Sequence, residues 1–209
     1  MPHLVLLGDS IFDNGTYVPG QPAVIDQVRE ALGDAWQATL LAIDGDVVSG
    51  VAAQLRRLPA DTTHLAVSVG GNDALRESGI LYQPAQRVDA VLSQFADIQD
   101  RFSEQYASML QAAARPRLPL VVSTIYDSIP GLAREARLAL SIFNDVILRQ
   151  AAAAGTSVLD LRLLCNQSRD YSPLSPIEPS SAGGEKIARK LATFMTTHDF
   201  AKSECVVFA

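Results

Sequence analysis

Five short apolar runs alternate with segments of helical period along the 209 residues, and that order predicts an α/β fold built on a five-stranded parallel sheet. The runs are continuously apolar instead of alternating, as strands buried on both faces are. No internal repeat and no Gly/Ser linker interrupts them, so residues 1–209 read as one domain, long enough for a single substantial core. Right-handed crossovers then make a doubly wound, three-layer flavodoxin-like sandwich the natural topology.

The elements follow in order. His3 to Gly8 (HLVLLG) is the first strand, stopped by glycine. Pro22 to Leu32 is a helix, with Val24, Val28, Ala31 and Leu32 on one stripe and Gly33 as its stop. Trp36 to Ile43 reads as the second strand, Val47 to Leu58 as a short helix, and His64 to Gly70 as the third strand. From about Pro84 to Ala114 a long helix is marked by Val88, Val91, Leu92, Phe95, Ile98 and Phe102, three or four apart. Leu118 to Tyr126 is the fourth strand, Leu132 to Ala153 a helix rich in Ala and Leu, and Thr156 to Leu161 the fifth strand. An irregular segment, Arg162 to Pro179, leads to a last helix from about Ala182 to Thr196. The terminal CVVFA is apolar enough to be an added edge strand or a packing tail.

Composition narrows the function classes. Hydrophobic residues make up 48% and charged residues 19%, the balance of an ordinary globular protein. Seventeen basic and 23 acidic residues give a net charge of -6 with no Lys/Arg cluster, so nothing recruits nucleic acid or an anionic membrane. Cys165 and Cys205 match no metal or redox spacing; reduced thiols are expected, with a single bridge as the alternative. The N-terminus lacks the basic region and apolar length of a signal peptide, and no run reaches transmembrane length, so a cytoplasmic location is expected. Oligomeric state leaves no mark in the sequence.

In a doubly wound sheet, ligands bind at the carboxyl ends of the strands. Those segments are distinctive here: Gly8-Asp9-Ser10 after the first strand, Asp44-Gly45-Asp46 after the second, and Gly70-Gly71-Asn72-Asp73 after the third. A small nucleophile, a flexible glycine and a carboxamide would meet at one rim. Acyl transfer needs this set, since a hydroxyl attacks the carbonyl while N–H donors receive the oxyanion. Each motif alone has a plainer reading, GDS as a helix cap or turn and GGND as a turn.

Jointly, GDS, the glycine of AIDGDVV and GGND resemble the SGNH (GDSL-type) family of esterases, lipases and thioesterases, over most of the chain. The resemblance implies Ser10 as nucleophile, and the Ser10 N–H, the Gly45 N–H and the Asn72 side-chain amide as oxyanion hole. It also implies a flavodoxin-like fold, which agrees with the strand pattern. The family's last block is Asp-x-x-His followed by Pro-Ser-x-x-Gly at the start of the final helix. Here Pro179, Ser180 and Gly183 keep that frame, but Ser175 stands at the aspartate position and Glu178 at the histidine position.

No other histidine is well placed. His3 and His64 begin strands and belong at the opposite rim, while His198 lies beyond the last helix. Glu178 is then the candidate base. A carboxylate near neutrality needs its pKa tuned to about 6–7 by burial or by neighbouring negative charge, which Asp9, Asp44, Asp46 and Asp73 would supply. A Ser–Glu dyad needs no orienting acid, so Ser175 in place of Asp is consistent. The competing reading makes Glu178 a helix-start residue facing the helix dipole and the protein a catalytically silent scaffold that binds a ligand or partner.

A third reading assigns Asp9, Asp13, Asn14, Asp44, Asp46, Asp73 and Glu178 to a hard-cation site. The hydrolase reading itself requires no metal and no cofactor, and its partner is a small-molecule ester or thioester. Asp9, Phe12 and Tyr17 are candidate substrate contacts, with packing beneath the loop as the alternative for the two aromatics. The segment Ser123 to Gly131 would close the opposite wall, with Asp127 in reserve.

Overall fold

In the computed structural model, which describes residues 1–201 and 204–209, the chain forms one parallel sheet of six strands. The strands are β1 (His3–Gly8), β2 (Gln37–Leu40), β3 (His64–Ser68), β4 (Leu120–Ser123), β5 (Ser157–Leu159) and β6 (Val207–Phe208), in the order β2-β1-β3-β4-β5-β6. The expected count of five is therefore one short. The terminal run takes the first of its two anticipated forms and pairs in parallel with β5, Val158 opposite Val207 and Leu159 opposite Phe208. Phe208 stacks on Phe194 with ring centroids 3.8 Å apart. That contact gives a two-residue strand a hydrophobic reason to dock.

The helices are α1 (Val24–Leu32), α2 (Val51–Leu55), α3 (Gly71–Glu77), α4 (Val88–Ala114), α5 (Arg134–Ala153), α6 (Leu161–Leu164) and α7 (Ser181–Thr197). They cover both faces of the sheet. Along β1 the side chains alternate: Val5 and Leu7 join the core beneath α2, α4 and α5, while Leu4 and Leu6 join the core beneath α1 and α7. All four are fully buried. This is why the strand reads as an unbroken apolar run, and each such leucine contributes about 1.5–3 kcal/mol of burial.

Two of the helical pieces that arise where none was predicted lie beside the crevice. After β3 the chain turns at Gly70 (φ 123°) directly into α3, and a 3₁₀ stretch over Ser78–Tyr82 continues it. Both are too short to show a helical period, and GGND reads locally as a turn. They matter because they form a wall of the site.

The strand order reverses between β1 and β3, since β2 lies outside β1 while β3 to β6 proceed the other way. A crevice opens at such a switch point, beyond the carboxyl ends of the strands. Gly8 and Gly70 both end there.

Candidate active site

Ser10 owes its position to a turn that only glycine permits. Gly8 has φ 117°, and a Cβ on it would lie 1.8 Å from the Ser68 carbonyl oxygen of β3. With that space free, the Asp9 N–H donates to Ser68 O (2.9 Å), and Phe12 and Asp13 donate back to Asp9 O (3.2 and 3.1 Å). The turn lifts Ser10 to the rim, 5% exposed. Among the described residues, neither the Ser10 N–H nor the Gly45 N–H has an acceptor within the chain.

Asn72 opens α3 on the far side of the switch point. Its Nδ2 donates one hydrogen to the Asp46 carbonyl (2.9 Å). A carboxamide nitrogen carries two N–H groups, so the second stays available while the first fixes the rotamer. Ser10, Asn72, Asp9 and Glu178 all line one cavity of about 150 Å³. Gly45 (φ 78°) does not; it sits exposed in the 44–46 turn, adjacent to the residue that anchors Asn72. The cavity is mainly apolar, walled by Leu75 and Ile80, by Phe95 and Ile98 of α4, and by Leu140 and Phe143 of α5.

Glu178 enters from a loop held at its backbone. Tyr126 Oη donates to Ile177 O (2.7 Å), Ser172 N to Glu178 O (2.8 Å), and Asn14 Nδ2 to Pro179 O (3.1 Å). Glu178 N donates to Ser175 O (3.0 Å), closing a turn between the two exchanged positions. Directly beyond, Ser180 caps α7 by accepting from Gly183 N (3.2 Å). Gly183 must lack a side chain, because its Cβ would meet Asp170 O at 2.1 Å. The proline–serine–glycine frame is thus a set of packing requirements that persist although the residue they present has changed.

Glu178 is 4% exposed, and burial is the largest cause raising its pKa to about 7. The Ser10 hydroxyl opposes the rise and the Asp44 charge adds to it. The Ser10 hydroxyl is near enough to favour the ionised carboxylate, but no aligned hydrogen bond closes between them, and Glu178 Oε2 is buried without a partner. Asp9 is pushed well above the usual carboxylate range, chiefly by burial, although Ile11 N donates to its Oδ1 (3.1 Å). Asp73 is also raised by burial, against the pull of its bond from Val48 N (3.1 Å). Near neutral pH this leaves Glu178 divided between its two forms.

The remaining candidates fall elsewhere. Phe12 is 2% exposed and packs into the core beneath α1 and α7, so it does not line the cavity. Tyr17 is also outside the lining; its hydroxyl donates to Asp44 Oδ2 (2.9 Å), which pushes its pKa up to about 12. For Phe12 the packing alternative describes the structure. The rim carboxylates serve the backbone: Asp13 accepts from Asp44 N, Asp46 from Val47 N and Asp73 from Val48 N. Asn14 joins Val24 N to Pro179 O. Among the described residues no three His, Cys, Asp or Glu side chains converge as a metal site.

Cys165 is buried and Cys205 half-buried, and both are free. All three histidines lie far from Ser10. His3 begins β1, His64 packs on Trp36 and Phe200, and His198 stacks on Phe194 (4.3 Å).

Gln54 escaped the sequence reading. It is 1% exposed and accepts from Gly8 N (2.7 Å), while its Nε2 donates to Gly8 O (2.8 Å) and Asp46 Oδ2 (2.7 Å). The available signal was a lone amide three residues after Val51, on the apolar stripe of a short helix. Tyr126 belongs to the segment expected to close the opposite wall and lines the cavity, whereas the bonds of Asn14 and the α3 wall were recognisable only in three dimensions.

A family model for the GDSL-like lipase/acylhydrolase family matches residues 6–186. No curated protein matches the chain. Among solved structures, an extracellular lipase from Streptomyces rimosus aligns at TM-score 0.68 and 20% identity, covering 94% of this chain and 100% of that one. A lipase from a goat rumen metagenome aligns at 0.72 and 17%, covering 97% and 100%. An acetyl xylan esterase from Geobacillus stearothermophilus aligns at 0.65 and 16%, covering 93% of each. At these identities the likeness is one of fold. No helix among the described residues is long and apolar enough to cross a membrane.

Proposed function

Because the chain belongs to the GDSL-like lipase/acylhydrolase family, and with it to the esterase/lipase class of hydrolases, we propose that it cleaves a small carboxylic ester or thioester through a Ser10 acyl-enzyme, with Glu178 as the base. One observation carries this reading: a buried carboxyl with a pKa of about 7 stands beside Ser10 at the mouth of an apolar cavity. A base tuned near the working pH is the most effective kind.

The steps follow from the donors and acceptors present. Ionised Glu178 takes the hydroxyl proton as Ser10 Oγ attacks the acyl carbon, whose apolar chain occupies the cavity. The oxyanion is received by the Ser10 N–H, the Gly45 N–H and the free hydrogen of Asn72 Nδ2. Collapse breaks the bond to the leaving oxygen or sulfur, which takes its proton from the now neutral Glu178 carboxyl. Water then attacks the acyl-enzyme with Glu178 again as base, and Ser10 recovers its proton as the acid departs. Carboxylate has no tautomer to fix, so Ser175 needs no acidic side chain. The backbone bonds around residues 177–179 do the orienting instead.

A fluorophosphonate probe tests the reading with the intact protein. Labelling at Ser10 that disappears in Ser10→Ala and falls steeply in Glu178→Gln is the expected result. An unlabelled Ser10, with no turnover of short-chain thioesters or p-nitrophenyl esters, would establish the silent scaffold.

A further inference from the structure

We infer that Gln54 is the positioning residue that holds the oxyanion hole together, an inference that rests on the proposed acyl transfer. Neither Gln54 nor its hydrogen-bond partners Gly8 and Asp46 line the cavity, so it is not itself catalytic. Its amide lies where the segments carrying the three proposed donors come together. Oε1 accepts from Gly8 N (2.7 Å) and Nε2 donates to Gly8 O (2.8 Å), which fixes the two peptide planes on either side of Gly8, just before Ser10. The second Nε2 hydrogen goes to Asp46 Oδ2 (2.7 Å), whose other oxygen accepts from Val47 N (2.9 Å). Asp46 is adjacent to Gly45, and its carbonyl receives Asn72 Nδ2 (2.9 Å).

One carboxamide therefore links the Ser10 turn to the Gly45 turn directly, and to Asn72 through Asp46. Ser10 comes after β1, Gly45 after β2 and Asn72 after β3; backbone bonds join these exits pairwise, Asp9 N to Ser68 O (2.9 Å) and Ile43 N to Gly8 O (3.0 Å), and Gln54 adds a side-chain tie that extends to Asn72 through Asp46. An oxyanion hole needs its donors within a few tenths of an ångström, and misplacement by about 1 Å costs on the order of 10²-fold. Gln54 is almost completely buried, and both its donor hydrogens and its acceptor are used. A side chain whose only duty was packing would leave this polar capacity unused, at a cost in desolvation.

A double-mutant cycle with Gln54→Met, which keeps length and flexibility but removes every hydrogen bond, is the test. The expected result is a fall in kcat of about 10–100-fold with KM changed less than about threefold. In an Asn72→Ala background, the same substitution should cost at least about threefold less than in the wild type, because one of the donors it positions is already gone. Equal losses in both backgrounds, or an unchanged kcat, would overturn the inference. Should Gln54→Met not fold, Asp46→Ala, at a half-exposed position, breaks the same link and must show the same masking by Asn72→Ala. If the wild-type protein shows neither turnover nor phosphonate labelling, the acyl-transfer reading fails on its own. Amide NMR then decides the inference separately: Gln54→Met should move the Asn72 side-chain resonances and speed exchange at Gly8, leaving the amides of α7 unchanged. Unmoved Asn72 resonances would refute it.

Discussion

The two rims of the sheet contain similar side chains wired in opposite ways. At the amino-terminal rim, Asp61 Oδ1 lies 3.0 Å from His3 Nδ1, and His3 Nε2 lies 2.8 Å from Thr39 Oγ1, an acid, imidazole and hydroxyl in series. At the carboxyl-terminal rim there is a hydroxyl and a carboxylate with no imidazole. Yet His3 has both ring nitrogens satisfied, and its backbone is tied to Thr63 as well (2.7 Å). Ser10 has a loose partner, an N–H free of intramolecular bonds and an adjoining cavity. The lesson is that partner identity does not make a catalytic site. Bonding capacity left open beside a space is what leaves a group free to react, and completed bonding makes a strut.

The largest expected effect that would break this contrast is at Ser10. Ser10→Ala should lower ester turnover by four orders of magnitude or more; a smaller loss would move the nucleophile elsewhere. Glu178→Gln should cost about 10²–10⁴ in kcat. It should also abolish the acidic limb of the kcat/KM profile, which in the wild type should fall tenfold per pH unit below about 7 if ionised Glu178 is the base. A profile with the same limb in both proteins would assign it to another group. Asn72→Ala should cost about 10²–10³ in kcat with KM little changed.

Stability sharpens the comparison with smaller effects. The Glu178 pKa is raised in the folded protein, so the native state binds the extra proton between the unfolded value near 4.5 and about 7. Stability from this group is therefore complete at low pH and declines as pH rises through that window. Glu178→Gln removes the decline: in urea melts it should gain on the order of 1–3 kcal/mol over wild type at pH 8 and nothing at pH 4. His3→Gln, the smallest effect, should lose about 1–2 kcal/mol of stability at constant kcat/KM. A tenfold loss of turnover there would show the rims to be coupled.

Much of this was legible in residue order because strand burial on both faces leaves continuous apolar runs. β1 matches its expected bounds, His3 to Gly8, while β2, β4 and β5 are shorter than their runs because strand ends bend away into loops without changing composition. β6 was visible only as an option, since two residues carry no period. Ser10 and Asn72 were singled out by motifs at strand ends, and Glu178 by the Pro179-Ser180-Gly183 frame that opens the last helix. What decides their chemistry did not: Gln54 and Asn14 lie 46 and 165 residues from their bonded partners Gly8 and Pro179, and no local pattern encodes such bonds. Phe12 shows the converse error, an aromatic next to a nucleophile whose side chain points into the opposite core.

The last strand has a consequence for how molecules of this protein meet one another. β5 would otherwise present Ser157–Leu159 as a free edge, a row of unpaired N–H and C=O groups able to recruit a second chain. β6 satisfies it, with Val158 N donating to Val206 O (2.8 Å) and Asp160 N to Phe208 O (2.7 Å). Its own outer edge is only two residues long, too short to template a ladder. A brief, aromatic-pinned strand thus acts as a stopper against edge-to-edge aggregation on that side of the sheet.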